Sequence, residues 1–275
     1  MNPGHDKSLA LAARDLLTFY IEAGVDAVLG EEPANRFAEA SVVEAVEAKS
    51  TVEPRSPARD IRSAPPMPAV QAPPPPDEAI MSARDAAKSA GSLEELRAIM
   101  DAFEGCALRK TAKQLVFGDG NPDARLMFIG EAPGSEEDQR GIPFVGRSGQ
   151  LLDRMLAAIG IARSDAYIAN IVPWRPPGNR DPSPHESQTC LPFIQRQIEL
   201  VDPDVIVCLG KPSTATLLGV TDGIKRTRGR WFTYNTGTRD IRATATFHPA
   251  FLLRSPIEKR FAWRDFLAIK KALQN

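Results

Sequence analysis

The sequence predicts an α/β fold, a three-layer sandwich in which a mainly parallel four-stranded sheet lies between helices. Two observations support this prediction. Short apolar segments alternate with longer segments of helical spacing from about residue 92 onward. The segment "DVIVCLG" (204–210) has almost no polar face, as is typical of a strand covered on both sides. In such sheets, functional sites lie at the carboxyl ends of the strands.

The four predicted strands are short, and each begins or ends at a polar residue or a turn residue. They span 125–130, 165–172, 204–210 and 241–249. The predicted helices span 92–105, 149–161, 183–201 and 255–273. Ser92 with Glu95, and Ser183 with Glu186, have the spacing of a capping box, which fixes the starts of two of these helices.

A proline-rich stretch separates this domain from the N-terminal residues. The segment 54–76 contains nine prolines in 23 residues, and proline lacks a backbone donor, so a packed element is not expected there. The apolar spacing over 8–30 predicts a helix. We therefore predict an N-terminal helical segment at 1–45, a disordered linker at 46–80 and a main domain at 81–275. The N-terminal helix is either a loosely attached surface helix or a helix that docks a protein partner.

The distribution of charge says more than the net charge of −1. Residues 1–80 carry 7 Lys/Arg and 13 Asp/Glu, and the remainder carries 27 and 22, a net charge of +5. A basic body fits a nucleic-acid partner, although many domains of that charge have none. Three cysteines, no signal-peptide pattern and no apolar run of about 18 residues predict a cytoplasmic protein without a membrane span.

Three polar residues follow or end predicted strands: Glu131, Asn170 and His248. A carboxylate can polarise a water, an amide can read the edge of a base, and a histidine can donate to an oxygen that gains charge. Phe144 could stack on a flat ring. Each residue also has an ordinary structural alternative as a cap, a turn former or part of the core. The turn "GEAPG" does not fit a dinucleotide motif, and a carboxylate there would repel phosphate.

Three motifs resemble the uracil-DNA glycosylase superfamily, specifically its family 4 type. They are "GEAPGSEEDQRGIPFVGRSGQLLDRML", "ANIVPWRPPGNRDPSPHESQTCLPFIQRQIELVDPDVIVCLG" and "HPAFLLRSP", in the order of that family. The resemblance covers about 106–275. It implies the fold of that superfamily and a hydrolase, a monofunctional uracil-DNA glycosylase of base-excision repair. Such an enzyme flips uracil out of DNA and leaves an abasic site.

The resemblance also implies roles for individual residues. Glu131 matches the acid that activates water, and His248 matches the histidine that hydrogen-bonds the O2 atom of uracil. Four residues are assigned to binding the uracil: Gly130, Ala132, Phe144 and Asn170. Three residues are assigned to DNA contact: Leu252 and its neighbours as a minor-groove wedge, with Arg254 and Arg175. The expected partner is uracil-containing DNA, bound by a monomer that is associated with the nucleoid when on DNA.

The sequence departs from the family at the iron–sulfur cluster. Cys106 and Cys190 match two of the four cysteine positions, but Arg109 and Trp174 stand at the other two. Neither arginine nor tryptophan binds iron, and Cys208 lies in a predicted buried strand. We therefore expect no cofactor and no metal. His185 is displaced from the position at which some relatives become covalently trapped on DNA, so turnover is expected.

Two alternatives remain open. One is a broader glycosylase that also acts on other deaminated bases. The other is a DNA-damage-binding module that has lost catalysis, against which the intact set of Glu131, Asn170 and His248 argues.

Overall fold

The computed structural model describes residues 76–274. The predicted N-terminal helix over 8–30 and almost all of the predicted linker lie outside the described residues. The first described helix begins at Pro76, inside the segment 46–80 assigned to the linker. Proline is tolerated in the first turn of a helix, because a backbone N–H at that position would have no acceptor within the helix. The proline-rich composition therefore did not prevent a helix from starting at Pro76.

The predicted α/β architecture is confirmed, with a sheet of six strands rather than four. The strands are β1 (Asp119–Gly120), β2 (Leu126–Gly130), β3 (Tyr167–Asn170), β4 (Val205–Leu209), β5 (Trp231–Asn235) and β6 (Asp240–Thr246). Their order is β1-β3-β2-β4-β6-β5, and the four predicted strands are mutually parallel. The two additional strands, β1 and β5, pair antiparallel at the edges.

There is a physical reason why the sequence did not predict the edge strands. β1 has only two residues, which is too short for any periodicity. β5 is mostly exposed or half-buried, so its residues lack the apolar alternation that marks a strand with one covered face. The sheet is therefore mixed, with a parallel centre.

Helices cover both faces of the sheet. They are α1 (Pro76–Ser89), α2 (Leu93–Ala102), α3 (Ser135–Arg140), α4 (Arg147–Ala158), α5 (Pro184–Val201), α6 (Lys211–Leu218), α7 (Ile224–Thr227), α8 (Pro249–Arg254) and α9 (Lys259–Leu273). The capping box of Ser183 and Glu186 is complete. That of Ser92 and Glu95 is formed in half: Ser92 accepts from the Glu95 N–H at 3.2 Å, but the Glu95 carboxylate accepts from the Gly91 N–H at 2.7 Å instead of from Ser92. No helix among residues 76–274 combines the length and the apolar character that crossing a membrane requires.

Alternation along β2 assigns its side chains to two separate cores. Met127 and Ile129 join the core that contains α1, α2 and α5. Leu126 and Phe128 join the core that contains α4 and α9, where Phe128 stacks on Phe266 at 5.9 Å between ring centroids. Because both faces are covered, the central strands are apolar throughout, as the sequence predicted for 204–210.

The chain order of the parallel strands places a topological switch at β2. The chain leaves β2 for β3 on one side of it, whereas β4, the next strand in the chain after β3, pairs on the other. The loops after β2 and β4 consequently diverge and leave a crevice outside the carboxyl edge of the sheet. Ligands of open α/β sheets bind at such a point.

A buried ion pair holds the end of β6 at this edge. The Arg228 Nε donates to Asp265 Oδ2 at 2.9 Å, and the Thr246 hydroxyl donates to the same oxygen at 2.7 Å. The Arg228 guanidinium also lies 5.5 Å from the centroid of the Phe247 ring. These contacts fix the last residue of β6 and the residue after it, from which the chain continues into His248.

Candidate active site

A cleft of about 600 Å³ opens at the carboxyl edge of the sheet. A residue at or near the carboxyl end of each parallel strand lines this cleft: Glu131 after β2, Asn170 at the end of β3, Gly210 after β4 and His248 after β6. The three strand-end residues that the sequence singled out are therefore brought together. Parallel strands end at one edge of a sheet, and so this convergence follows from the topology.

Backbone hydrogen bonds beyond the strand ends hold Glu131 beside β3. The Ile171 N–H donates to the Gly130 carbonyl and the Val172 N–H donates to the Glu131 carbonyl, both at 2.9 Å. The Glu131 side chain is half-buried in the cleft wall. Desolvation, with a smaller contribution from the negative charge of Asp181, raises the pKa of Glu131 to about 7. The carboxyl group can thus exchange a proton near neutral pH.

Gly130, Asn170 and Phe144 form one wall of the cleft. A Cβ atom on Gly130 would lie 2.4 Å from Asn170 Oδ1 and 2.7 Å from two carbons of the Phe144 ring. Only glycine therefore lets the amide and the ring approach the strand this closely. Asn170 is 4% exposed, and its Oδ1 has no hydrogen-bond partner among the described residues. A buried acceptor without a partner is costly, which makes it a strong candidate for a ligand contact.

The Phe144 backbone adopts a left-handed conformation, with φ of 52°. This region is unfavourable for an aromatic residue, and such strain concentrates at functional sites. The residues that follow are held by the Glu137 carboxylate, whose Oε1 accepts from the N–H groups of Val145 at 3.0 Å and Gly146 at 2.9 Å. The same carboxylate accepts from Gly134 at 3.1 Å, so it joins both ends of the loop.

His248 is the N-cap residue of α8. Its Nδ1 accepts from the Ala250 N–H at 3.1 Å, so the proton of the neutral ring resides on Nε2. Desolvation, reinforced by the positive charge of Arg254, lowers the pKa of His248 to about 4. The histidine is therefore neutral at physiological pH. Its ring lies 5.5 Å from the Phe144 ring, centroid to centroid.

The predicted DNA-contacting residues lie in different surroundings. Arg254 is exposed at the end of α8 and lines the cleft. Arg175 is half-buried: its Nε donates to Asn179 Oδ1 at 2.8 Å, and it lies 3.8 Å from Asp138 Oδ2. Leu252 is a buried residue of α8 that belongs to a core cluster with Phe247, so in this conformation it has no free surface with which to enter a groove.

Of the four positions that the sequence matched to cluster ligands, two carry cysteine, and the other two carry side chains that cannot bind iron. The Sγ atoms of Cys106 and Cys190 lie 3.8 Å apart, within hydrogen-bonding reach of each other. Arg109 folds back and donates to the Asp101 carbonyl from Nε at 3.0 Å and from its terminal nitrogen at 2.6 Å. Trp174 fills the main core and is 1% exposed.

Two thiols do not meet the requirement of a [4Fe–4S] cluster for four. Within residues 76–274, moreover, no three His, Cys, Asp or Glu side chains are grouped so that they could hold a metal ion.

Sequence reasoning missed several residues of the cleft. Gly210 adopts a φ of 91°, and a Cβ there would lie 3.1 Å from His248 Cβ, so its backbone allows the His248 loop to pack closely. The sequence did hold a signal for Gly210, because it directly follows the predicted strand "VIVCL" and so lies at the carboxyl edge of the sheet. Asp181 and Arg180 also line the cleft. They lie in an irregular loop, where spacing in the sequence carries no information about position.

Fold and site together define a class of protein. It is a doubly wound α/β protein whose switch-point cleft presents an aromatic ring, an unpaired amide oxygen, a neutral histidine and a carboxyl group with a raised pKa. This combination suits a flat, polar ring that becomes the leaving group of a hydrolysis.

The chain belongs to the uracil DNA glycosylase superfamily, whose family model matches residues 117–268. It is 42% identical over 175 residues to a type-4 uracil-DNA glycosylase of Saccharolobus solfataricus, an alignment that covers 62% of this chain and 81% of that protein. It is 40% identical over 182 residues to a protein of the same name from Archaeoglobus fulgidus, and that alignment covers 65% of this chain and 92% of that protein. A third, from Thermotoga maritima, is 44% identical, with 54% and 77% covered.

We predict that Gly130→Ala lowers the free energy of unfolding by about 1–3 kcal/mol, because the added methyl group overpacks the contact with Asn170 and Phe144. Urea unfolding at neutral pH measures the difference. Gly223→Ala is the matched control, since its φ is −63° and no atom lies within 4 Å of a Cβ there. The control is expected to be neutral or slightly stabilising. Equal effects of the two substitutions would contradict the close packing of Gly130.

Proposed function

We propose that this protein is a uracil-DNA glycosylase that flips uracil out of DNA and hydrolyses its N-glycosidic bond, leaving an abasic site in base-excision repair. The observation that carries the proposal is the convergence of Glu131, Phe144, Asn170 and His248 on one cleft. The similarity to proteins named type-4 uracil-DNA glycosylase supports it independently.

The cleft fits a base that has left the helical stack. A base inside a duplex hides its glycosidic bond, so the enzyme has to rotate the nucleotide into its pocket. The Phe144 ring offers a flat wall, and Gly130 keeps the space beside it free of side-chain atoms. Stacking on an aromatic ring contributes about 1–3 kcal/mol per base, which offsets part of the cost of unstacking.

Asn170 is proposed to select uracil by the order of its donor and acceptor. The unpaired Oδ1 would accept from the N3–H group of uracil, and Nδ2 would donate to O4. Cytosine presents an acceptor at N3 and a donor at its exocyclic amine, so both contacts would become repulsive. Burial makes the mismatch costly, because neither group can turn to water instead. Thymine would have to be excluded by contact at its methyl group.

Cleavage separates charge, and two residues are proposed to stabilise the products. As the bond from C1′ to N1 breaks, its electron pair stays on N1, and the sugar becomes oxocarbenium-like. The neutral His248 would donate from Nε2 to O2 of the uracil anion; its pKa of about 4 makes this a hydrogen bond from imidazole rather than a proton transfer. The Glu131 carboxylate would orient the water that attacks C1′ and take up its proton.

The rim of the cleft is proposed to hold the DNA backbone. Arg254 is exposed and suits a phosphate contact. Because Leu252 is buried, its neighbour Leu253, which is half-buried on the same helix, is the better placed wedge. Arg175 would have to leave Asn179 to reach a phosphate, so its role is more readily that of a loop support.

We propose that the enzyme works without a metal or cluster, because only two of the four corresponding positions carry a thiol and the other two are filled by Arg109 and Trp174. We also propose that it acts as a monomer in the cytoplasm, at the nucleoid when bound to DNA. All four residues at the centre of the proposed mechanism come from one chain.

The first test is cleavage of a uracil-containing oligonucleotide, followed by alkali at the abasic site. Wild type is expected to cut the strand. Glu131→Ala and His248→Ala are expected to lower the rate by roughly 10²–10⁴-fold, the range for lost general bases and preorganised donors. Glu136→Ala and His185→Ala are matched controls at exposed positions that do not line the cleft. An intact strand with wild type would refute the proposed function.

A second test is the pH dependence of kcat/KM. The water-activating carboxylate must be ionised, so kcat/KM is expected to rise with pH and to level off above about 7, the pKa of Glu131. His248 stays neutral across this range. Asp181→Asn removes a negative charge that raises the pKa of Glu131, so the rise is expected at lower pH. Asp123→Asn, at an exposed surface position, is the control. An unmoved profile in Asp181→Asn would contradict the assignment.

The third test is analysis for iron and acid-labile sulfide in protein purified without oxygen. We expect a colourless preparation that contains far less than stoichiometric iron, and full activity after dialysis against a chelator. Cys106→Ala is expected to retain activity, because Cys106 contacts Cys190 and not the cleft. A brown preparation with visible absorbance and stoichiometric iron and sulfide would overturn the metal-free proposal.

A further inference from the structure

We infer that Arg163 is a positioning residue for base recognition: it holds the Phe144 backbone in the left-handed conformation that places the ring in the cleft wall. Arg163 does not line the cleft itself, and it lies between α4 and β3. The inference rests on the proposed function, since the ring is proposed to stack on the extruded uracil.

The Arg163 guanidinium donates hydrogen bonds to two successive carbonyl groups of the loop before α4. One terminal nitrogen donates to the Phe144 carbonyl at 3.0 Å, and the other donates to the Pro143 carbonyl at 2.7 Å. Two carbonyls can be held at once because the guanidinium is a planar fork with fixed donor directions. Lysine carries its donors on one nitrogen and cannot reproduce this span.

Two carboxylates fix the guanidinium in turn. Nε donates to Asp119 at 2.7 Å, and the nitrogen that holds Phe144 also donates to Asp153 at 2.8 Å. Asp119 belongs to β1 and Asp153 to α4, so the fork is anchored to an edge strand and to a helix. A side chain held from both sides has little freedom to release the loop.

Two further contacts restrain the backbone at Phe144. A Cβ atom on Gly149 would lie 1.7 Å from the Phe144 carbonyl oxygen, so α4 packs directly against this peptide group. On the other side, Glu137 accepts from the N–H groups of Val145 and Gly146. Arg163 thus holds the carbonyls before the turn, and Glu137 holds the N–H groups after it.

The position of the ring depends on this backbone. The Phe144 ring lies against Gly130 and 5.5 Å from the His248 ring. If φ at Phe144 relaxed to a negative value, the direction of its Cα–Cβ bond would change and the ring would leave both contacts. The hydrogen bonds of Arg163 therefore act on this wall of the cleft through Phe144.

The test compares Arg163→Gln with Arg196→Gln. Arg196 is a suitable control: like Arg163 it donates to both backbone and carboxylate acceptors, here the Ala90 carbonyl and Glu199, and its side chain is 26% exposed against 23% for Arg163. Arg163→Gln is expected to lower kcat/KM on uracil-containing DNA on the order of 10- to 100-fold, as misplacement of a positioning group does. Arg196→Gln is expected to leave it within twofold. Equal activities of the two variants would overturn the inference.

A double-mutant cycle separates positioning from general destabilisation. If Arg163 acts through the ring, Arg163→Gln in a Phe144→Ala background is expected to cost little beyond Phe144→Ala alone. Arg163→Lys is expected to recover only part of the loss. Additive losses in the double variant would mean that Arg163 does not act through Phe144, and would contradict the inference.

A third readout needs no activity. The chain has three histidines, so the imidazole proton signals of His248 can be assigned by substitution. The Phe144 ring is close enough to shift them, and we expect Arg163→Gln to move them as Phe144→Ala does, with Arg196→Gln leaving them in place. If wild type lacks glycosylase activity, the proposed function fails while this measurement still decides the role of Arg163. Unmoved signals in Arg163→Gln would refute it.

Discussion

The approach of the Gly130 backbone to the Asn170 amide and the Phe144 ring is the contact on which this wall of the cleft depends. It exists because β2 and β3 are parallel neighbours that end together and because residue 130 has no side chain. The amide oxygen is buried without a partner, and the ring sits on a strained backbone. Each feature is unfavourable for the free protein, and each is maintained by packing that a flat ligand would complete.

The ionised form of Glu131 is likewise unfavourable for the free protein. Burial raises the pKa of Glu131 to about 7, so the folded state prefers the protonated carboxyl. The sign follows from linkage: the stability associated with this group is present below pH 4.5 and is lost as the pH rises towards 7, where Glu131 ionises while still half-buried. The proposed reaction needs the ionised form. The pH range in which the site would work is therefore the range in which Glu131 destabilises the fold, a trade-off common in active sites.

The parts of this structure that periodicity encodes were predictable. The four parallel strands are apolar because both faces are covered, and both capping-box starts carry their Ser-x-x-Glu spacing, so their places in the chain could be inferred. β1 and β5 could not, since edge strands bury too little to impose a pattern. The convergence of Glu131, Asn170 and His248 followed from parallel topology. The burial of Leu252 and the reach of Arg163 across the loop did not, because both depend on tertiary packing between elements distant in sequence.

At the positions that the sequence matched to cluster ligands, non-covalent contacts connect the surrounding segments. A cluster would tie the loop around Cys106 to α5 through covalent bonds. Here the two thiols still meet at 3.8 Å, Trp174 is buried in the core, and Arg109 is tied to the end of α2 through the Asp101 carbonyl. Hydrophobic burial and hydrogen bonds thus connect the same segments. Cys106, Arg109, Trp174 and Cys190 do not line the cleft, so the proposed mechanism, which uses cleft residues alone, does not draw on these positions.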